Sequence, residues 1–322
     1  MTPIGEILAD EIRRSGPISF RRFMEQALYH PEYGYYRRPR DPFGARGDFF
    51  TAEQIQPVFG ILMAARIRQL HRGMGEPADF TVVELGAGRR EMAEAFSQWQ
   101  YIGVDVDGGE LPRDFQGVVF SNEFFDALPV EVFEYTQGEL RERRVDFAGG
   151  KFSWRTEGRA PADREDFIRR YFPEPAECQI YEVCLDARRW LERIAGALRS
   201  GYVLTIDYGF TRPEAIRFPS GTLMSYRSHT ALDSVLENPG EQDITAHVNF
   251  TAIEQHGESL GLRQESFETL ARTILTAGEV DQFAAALQGG EREELRRRMQ
   301  LKTLLFGMGE TFRALLQRKS EA

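Results

Sequence analysis

Apolar residues recur at helical spacing over residues 3 to 15 and 19 to 30, and Gly16-Pro17 followed by Ser19 supplies a turn and then a cap for the second segment. Pro31-Glu32-Tyr33-Gly34-Tyr35-Tyr36 breaks the pattern into an aromatic loop, and residues 37 to 48, rich in Arg, Pro and Gly, have no period. Thr51 and Gln54 make a capping-box signature before a helical run to about Arg72, so residues 1–78 read as a helical N-terminal region. The period then changes. Phe80 to Leu85 reads as a strand, Gly86 to Gly88 as a tight turn and Arg90 to Trp99 as a helix, together half of a βαβ unit. Further strands are expected at Tyr101 to Val106, Val118 to Ser121 and Tyr202 to Asp207, the last entered from a helix over Asp186 to Leu198. Apolar and polar residues alternate over 130 to 160 around Gly138 and Gly149-Gly150, which predicts antiparallel hairpins. Residues 211 to 243 read as an inserted loop, followed by helical patterns at 250 to 260, 279 to 287 and 291 to 306 and a closing strand at Thr311 to Arg318. Strands alternating with helices predict an α/β fold with a Rossmann-like, doubly wound sheet over 79–322, carrying insertions near 130–180 and 210–248.

The 322 residues are 42% hydrophobic and 28% charged, enough to bury one large core with appended segments. A net charge of -10 disfavours nucleic acid and anionic lipid as partners. Cys178 and Cys184, six apart without clustered histidines, suit neither a metal site nor a disulfide framework and read as buried apolar residues. No run reaches membrane-spanning length, and Glu6, Asp10 and Glu11 are unlike a targeting leader, so a cytoplasmic location is expected.

Glu84-Leu85-Gly86-Ala87-Gly88 lies where the first strand of a nucleotide-binding sheet passes to its helix, and its glycines allow a ligand close to the backbone. Glu91 occupies the place of the third glycine of a dinucleotide turn, where it would repel a diphosphate. S-adenosylmethionine carries no phosphate, and its cationic amino and sulfonium groups suit the Glu84 carboxylate. Asp105, 17 residues beyond Gly88, has the spacing of an acid that accepts ribose hydroxyls, and Asp107 is a second candidate. The same residues also fit a tight turn solvated by acids, with no ligand.

Ser121-Asn122-Glu123-Phe124-Phe125-Asp126-Ala127-Leu128-Pro129 resembles the signature of the MidA family, which includes the mitochondrial complex I assembly methyltransferases. Gly47-Asp48-Phe49-Phe50, the aromatic loop, Asp207-Tyr208-Gly209, Gly221-Thr222-Leu223, Asp243 to Phe250 and Met308 to Phe312 follow in family order, so the resemblance spans nearly the whole chain. It implies a class I methyltransferase fold, S-adenosylmethionine as cofactor and arginine of a partner protein, with a respiratory complex subunit among the candidates, as methyl acceptor. It also brings Asn122 and Asp48 to the cofactor side, with Asp48 and Tyr35 as a lid. Two departures stand out: Arg90 replaces a usual glycine, and only 33 residues lie between Gly88 and Asn122. That stretch is short by a strand and a helix, so residues 101 to 107 fit either the ribose-contacting strand or the next one, which normally meets adenine.

A guanidinium acceptor is protonated at physiological pH and needs carboxylates to orient it and take its proton. Glu123 and Asp126 are the nearest candidates and would share a face if the chain turns helical there, although Asp126 as a helix cap is the plainer reading. His247, between Thr245 and Asn249, is a candidate base or an ordinary structural histidine. The charge-dense segment Glu291 to Arg298 reads as a solvated helix face. Two other functions remain open: methylation of a small molecule, and a non-catalytic assembly factor that uses the fold to hold a partner.

Overall fold

The computed structural model describes residues 1–37, 52, 55–106, 108–227, 230–231 and 234–321. They fall into two units, each of which the chain enters more than once.

One unit takes the described residues of Met1–Phe50 with Phe125–Arg188 and Phe210–Ala252. Its two N-terminal helices, Pro3–Ser15 and Phe20–Tyr29, are capped by Thr2 and Ser19, whose side chains accept the N–H groups of Gly5 and Arg22. They bury Leu8, Ile12, Phe20, Phe23 and Met24 with Val132 and Val145. Those valines belong to the predicted hairpins, which form as antiparallel strands Glu131–Thr136, Glu139–Ala148 and Lys151–Arg159, joined by Ile180–Val183 at one side. Cys178 departs from its expected burial: it is exposed, with φ 63°, where the chain turns into Ile180–Val183, and Cys184 is half-buried.

The other unit comprises the described residues of Thr51–Phe124 with Arg189–Gly209 and Ile253–Ala322. Its sheet strands are β1 (Phe80–Leu85), β2 (Gln100–Val104), β3 (Phe115–Asn122), β4 (Leu198–Phe210), β5 (Arg263–Thr269) and β6 (Phe312–Lys319). They lie in the order β5-β6-β4-β3-β1-β2. Strands β2, β1, β3 and β4 run parallel, whereas β6 is antiparallel to both its neighbours. This is the Rossmann-like class I arrangement, and it settles the register left open by the sequence. Residues 100–104 pair directly with β1, so β2 takes the position next to the first strand, and among the described residues no strand lies beyond it.

Helix Val58–Gly73 packs Phe59, Leu62, Met63 and Ile67 against Val82, Val118, Phe120 and Leu204 of the sheet. Thr51 and Gln54, the expected capping box, lie outside the described residues. The helix predicted over Arg90 to Trp99 does not form. Arg90 takes φ 58°, and turns such as Arg90 to Ala87 and Phe96 to Met92 carry the chain to β2. Fourteen residues join Leu85 to Gln100, near the lower limit for a parallel crossover. The helical pattern at 279 to 287 is also interrupted. Helix Leu270–Gly278 ends, Gln282 and Phe283 adopt positive φ, and only Ala284–Leu287 is helical, because Phe283 packs its ring onto Gly278. Helix Glu291–Lys302 buries no residue and carries ion pairs Glu293–Arg297 and Glu294–Arg298, the solvated face expected.

Candidate cofactor and catalytic site

In this sheet the chain starts at β1, steps outward to β2 and crosses back to β3 on the other side. Ligands of open α/β sheets bind outside the carboxyl ends of the strands where the order reverses, here β1 and β3. Leu85 pairs with Ser121, so the glycine turn that follows β1 and the Asn122-Glu123 pair that ends β3 emerge side by side.

Gly86 and Gly88 both have positive φ, 70° and 45°. A side chain at Gly86 would also meet the Phe124 ring at 3.1 Å. The N–H of Gly88 donates to Asp105 Oδ2 at 2.6 Å, and Val106 N–H donates to the other oxygen. A dinucleotide fold offers such N–H groups to a diphosphate; here a carboxylate takes one, and Asp105 ties the turn to the end of β2. Glu84 is fully buried and accepts the Tyr101 hydroxyl. Two carboxylates around a phosphate-free turn suit a ligand with a cationic end and a ribose.

Asn122 is 4% exposed. Its Nδ2 donates to Glu123 Oε1 at 3.1 Å, which fixes the amide's orientation, and its buried Oδ1 has no partner among the described residues. Such an acceptor is costly to leave unsatisfied, so it awaits a donor from a ligand. S-adenosylmethionine fits this donor set: Glu84, Gly86, Gly88, Asp105 and Asn122 are the residues that would hold it.

Glu123 has φ 51°, uncommon for a residue with a side chain. Its N–H donates to Ile206 O at 3.0 Å, and its Oε1 also receives the Ala52 N–H at 3.4 Å. Beyond it no helix forms; the chain bends through a turn in which Leu128 N–H reaches Phe125 O. Neither the shared helical face for Glu123 and Asp126 nor the capping role for Asp126 holds. Asp126 is 3% exposed in the first unit, and its carbonyl accepts the N–H of Ala246 at 3.0 Å, next to His247. His247 donates its N–H to Thr222 Oγ1 at 3.0 Å and packs edge-on against Phe218; burial lowers its pKa. Asp48 and Asp107 lie outside the described residues. Tyr35 is fully buried in the core of the first unit.

Two residues at this end of the sheet are not among the site candidates the sequence offers. Tyr101 was assigned only to a strand, and nothing in its neighbours marks a hydroxyl that reaches across to β1. Asp207 follows Ile206, the partner of Asn122, and is fully buried with its carboxylate accepting the Tyr208 N–H. The Asp207-Tyr208-Gly209 motif and the place of the acid at the end of an apolar strand are the signals that mark it.

The family model described as "Putative S-adenosyl-L-methionine-dependent methyltransferase" matches residues 98–267, more than half of the chain and including Asp105, Asn122, Glu123, Asp126 and His247. The Drosophila melanogaster protein arginine methyltransferase NDUFAF7 homolog, mitochondrial, is 26% identical over 89% of this chain and 75% of its own length. The Homo sapiens protein arginine methyltransferase NDUFAF7, mitochondrial, is 26% identical over 83% and 73%. A Burkholderia thailandensis structure, assigned as a methyl transferase and bound to S-adenosylhomocysteine, superposes with TM-score 0.88 at 27% identity, covering 99% of this chain and 92% of that one. The relatives' names correct the expected cytoplasmic location, since these are mitochondrial proteins. The acids that suggested it, Glu6, Asp10 and Glu11, belong to the folded helix Pro3–Ser15, so they report on folding and not on compartment.

Proposed function

Because the chain belongs to the S-adenosyl-L-methionine-dependent methyltransferase family and is such an enzyme, we propose that its methyl acceptor is an arginine of a partner protein, engaged by Glu123. The cofactor supplies a methyl group on a sulfonium, already a good leaving group. What remains for the protein is to align the acceptor and manage its charge. A guanidinium has five donors and no acceptor, so a carboxylate at the reacting end orients it and localises its charge. Glu123 carries this reading: it ends the strand beside the glycine turn, in a backbone conformation that costs of order 1 to 3 kcal/mol and persists where the surroundings impose it. Asp126 and His247 are further candidates for taking the guanidinium proton on the sequence alone. Burial keeps His247 neutral at physiological pH, the form that can accept a proton. The arginine methyltransferases among the relatives support a protein acceptor, and the family resemblance makes a respiratory complex subunit the first to try.

Glu123→Gln keeps the side chain's size and removes its charge. The variant is expected to bind S-adenosylmethionine normally and to lose about 2 to 4 kcal/mol in turnover, the range for removing a preorganised electrostatic contact. Wild-type protein incubated with labelled cofactor and lysate identifies the acceptor by mass spectrometry. Label on arginine transferred at an unchanged rate by the variant rejects the role of Glu123, and label on a small molecule rejects the protein acceptor.

A further inference from the structure

Glu84 lies on β1 in register with Gly103 of β2, and Val82 lies in register with Tyr101. Side chains two apart on a strand share a face, so Tyr101 and Gly103 lie on the face that carries Val82 and Glu84. With any other residue at 103 the path from Tyr101 to Glu84 would be obstructed. A Cβ built on Gly103 would stand 3.1 Å from the Tyr101 hydroxyl oxygen and 3.0 Å from Ala87 Cβ. The glycine leaves that space open, and the hydroxyl crosses it to donate to Glu84 Oε2. The Tyr101 ring is held from behind by Phe96, their centroids 6.3 Å apart, and Phe96 is itself fully buried against Phe120.

A buried carboxylate without a fixed partner can turn about its last bond, and each orientation presents different lone pairs. One phenolic donor on one oxygen removes that freedom and still leaves acceptor capacity for a cation. We propose that Tyr101 is a positioning residue for the amino-acid end of the cofactor: reaching over Gly103, it fixes the Glu84 carboxylate in the orientation that the cofactor's ammonium group requires. This rests on the reading that Glu84 meets that group. It adds a residue outside the glycine turn to the determinants of cofactor choice, one acting on the amino-acid portion and not on the nucleoside.

Two ligands separate those portions. S-adenosylhomocysteine carries the amino acid, whereas 5′-methylthioadenosine keeps the nucleoside and thioether and lacks it. Calorimetric titration of Tyr101→Phe, which retains the ring packing on Phe96, should show the Kd for S-adenosylhomocysteine rising about fivefold to tenfold, the size of one lost hydrogen bond of ordinary strength. The Kd for 5′-methylthioadenosine should stay within about twofold. Equal loss for both ligands in Tyr101→Phe would make the residue a packing element only and overturn the proposal, as would no loss for either. Glu84→Gln distinguishes the premise: if it selectively weakens S-adenosylhomocysteine while Tyr101→Phe does not, Glu84 keeps its role and Tyr101 loses its own. If Glu84→Gln affects neither ligand, the premise itself falls.

Discussion

Asp105 ties two elements of the sheet's ligand-facing end together through one carboxylate. Its oxygens receive the N–H groups of Gly88 and Val106, and its own N–H and carbonyl bridge to Gly108, so it clamps the glycine turn to the end of β2. A carboxylate accepts up to about four hydrogen bonds, which leaves capacity for a ribose. On the proposed cofactor reading Asp105→Ala removes the clamp together with a ribose contact, and cofactor affinity should fall by about 1 to 3 kcal/mol. Asp105→Asn can keep one of the two backbone contacts and should fall between the wild type and Ala. Calorimetry with S-adenosylhomocysteine checks this; an unchanged Kd for the Ala variant moves the ribose contact elsewhere.

Elements with a strong hydrophobic period were legible in the sequence to within a few residues: both N-terminal helices, the 130–160 hairpins and the helix Leu185–Ala197. What failed was local and has local causes. Residues 90 to 99 have helical composition, yet Arg90 enters at positive φ and the segment runs as a series of turns. Strand Arg263–Thr269 is exposed or half-buried along its length and carries Arg, Gln and Glu, so it gave no apolar signal. The glycine turn, Glu84 and Asp105 were legible because their spacing is imposed by the fold; the partner of Glu84 was not, because pairing between strands is absent from a linear pattern. Lacking a helix, the crossover depends on Phe96, which is fully buried and packs edge-on against Phe120 at 5.5 Å. Phe96→Ala should therefore cost about 3 to 5 kcal/mol in urea unfolding, the usual range for a buried phenylalanine. A loss below about 1 kcal/mol would mean that the crossover is anchored by something else.

The pH response of the whole molecule has a contribution that runs against the ordinary behaviour of surface groups. Thr222 donates its N–H to Glu182 at 2.8 Å and its hydroxyl to the same carboxylate at 3.4 Å, while its Oγ1 accepts the His247 N–H. Burial dominates both titrating groups, lowering the pKa of His247 from 6.5 and raising that of Glu182 from 4.5 despite its hydrogen bonds to Thr222. For His247 the unfolded chain binds the proton more readily than the folded one. Its contribution is thus complete above pH 6.5 and declines as the pH falls from 6.5 to the lower folded value. For Glu182 the folded state is the better proton binder, so stability is lost as the pH rises from 4.5 through the raised value. The two slopes have opposite signs, and replacing one residue exposes the other. His247→Gln should leave stability above pH 7 altered by a constant. Below pH 6.5 the wild type should lose ground relative to the variant, with a slope of up to about 1.4 kcal/mol per pH unit for the one proton involved. Glu182→Gln should show the reverse comparison, its gain over the wild type growing as the pH rises from 4.5. Urea unfolding of the three proteins across pH 4.5 to 8 measures both differences. Parallel curves for wild type and His247→Gln would mean that the histidine titrates normally in the folded protein and is not held neutral by its surroundings.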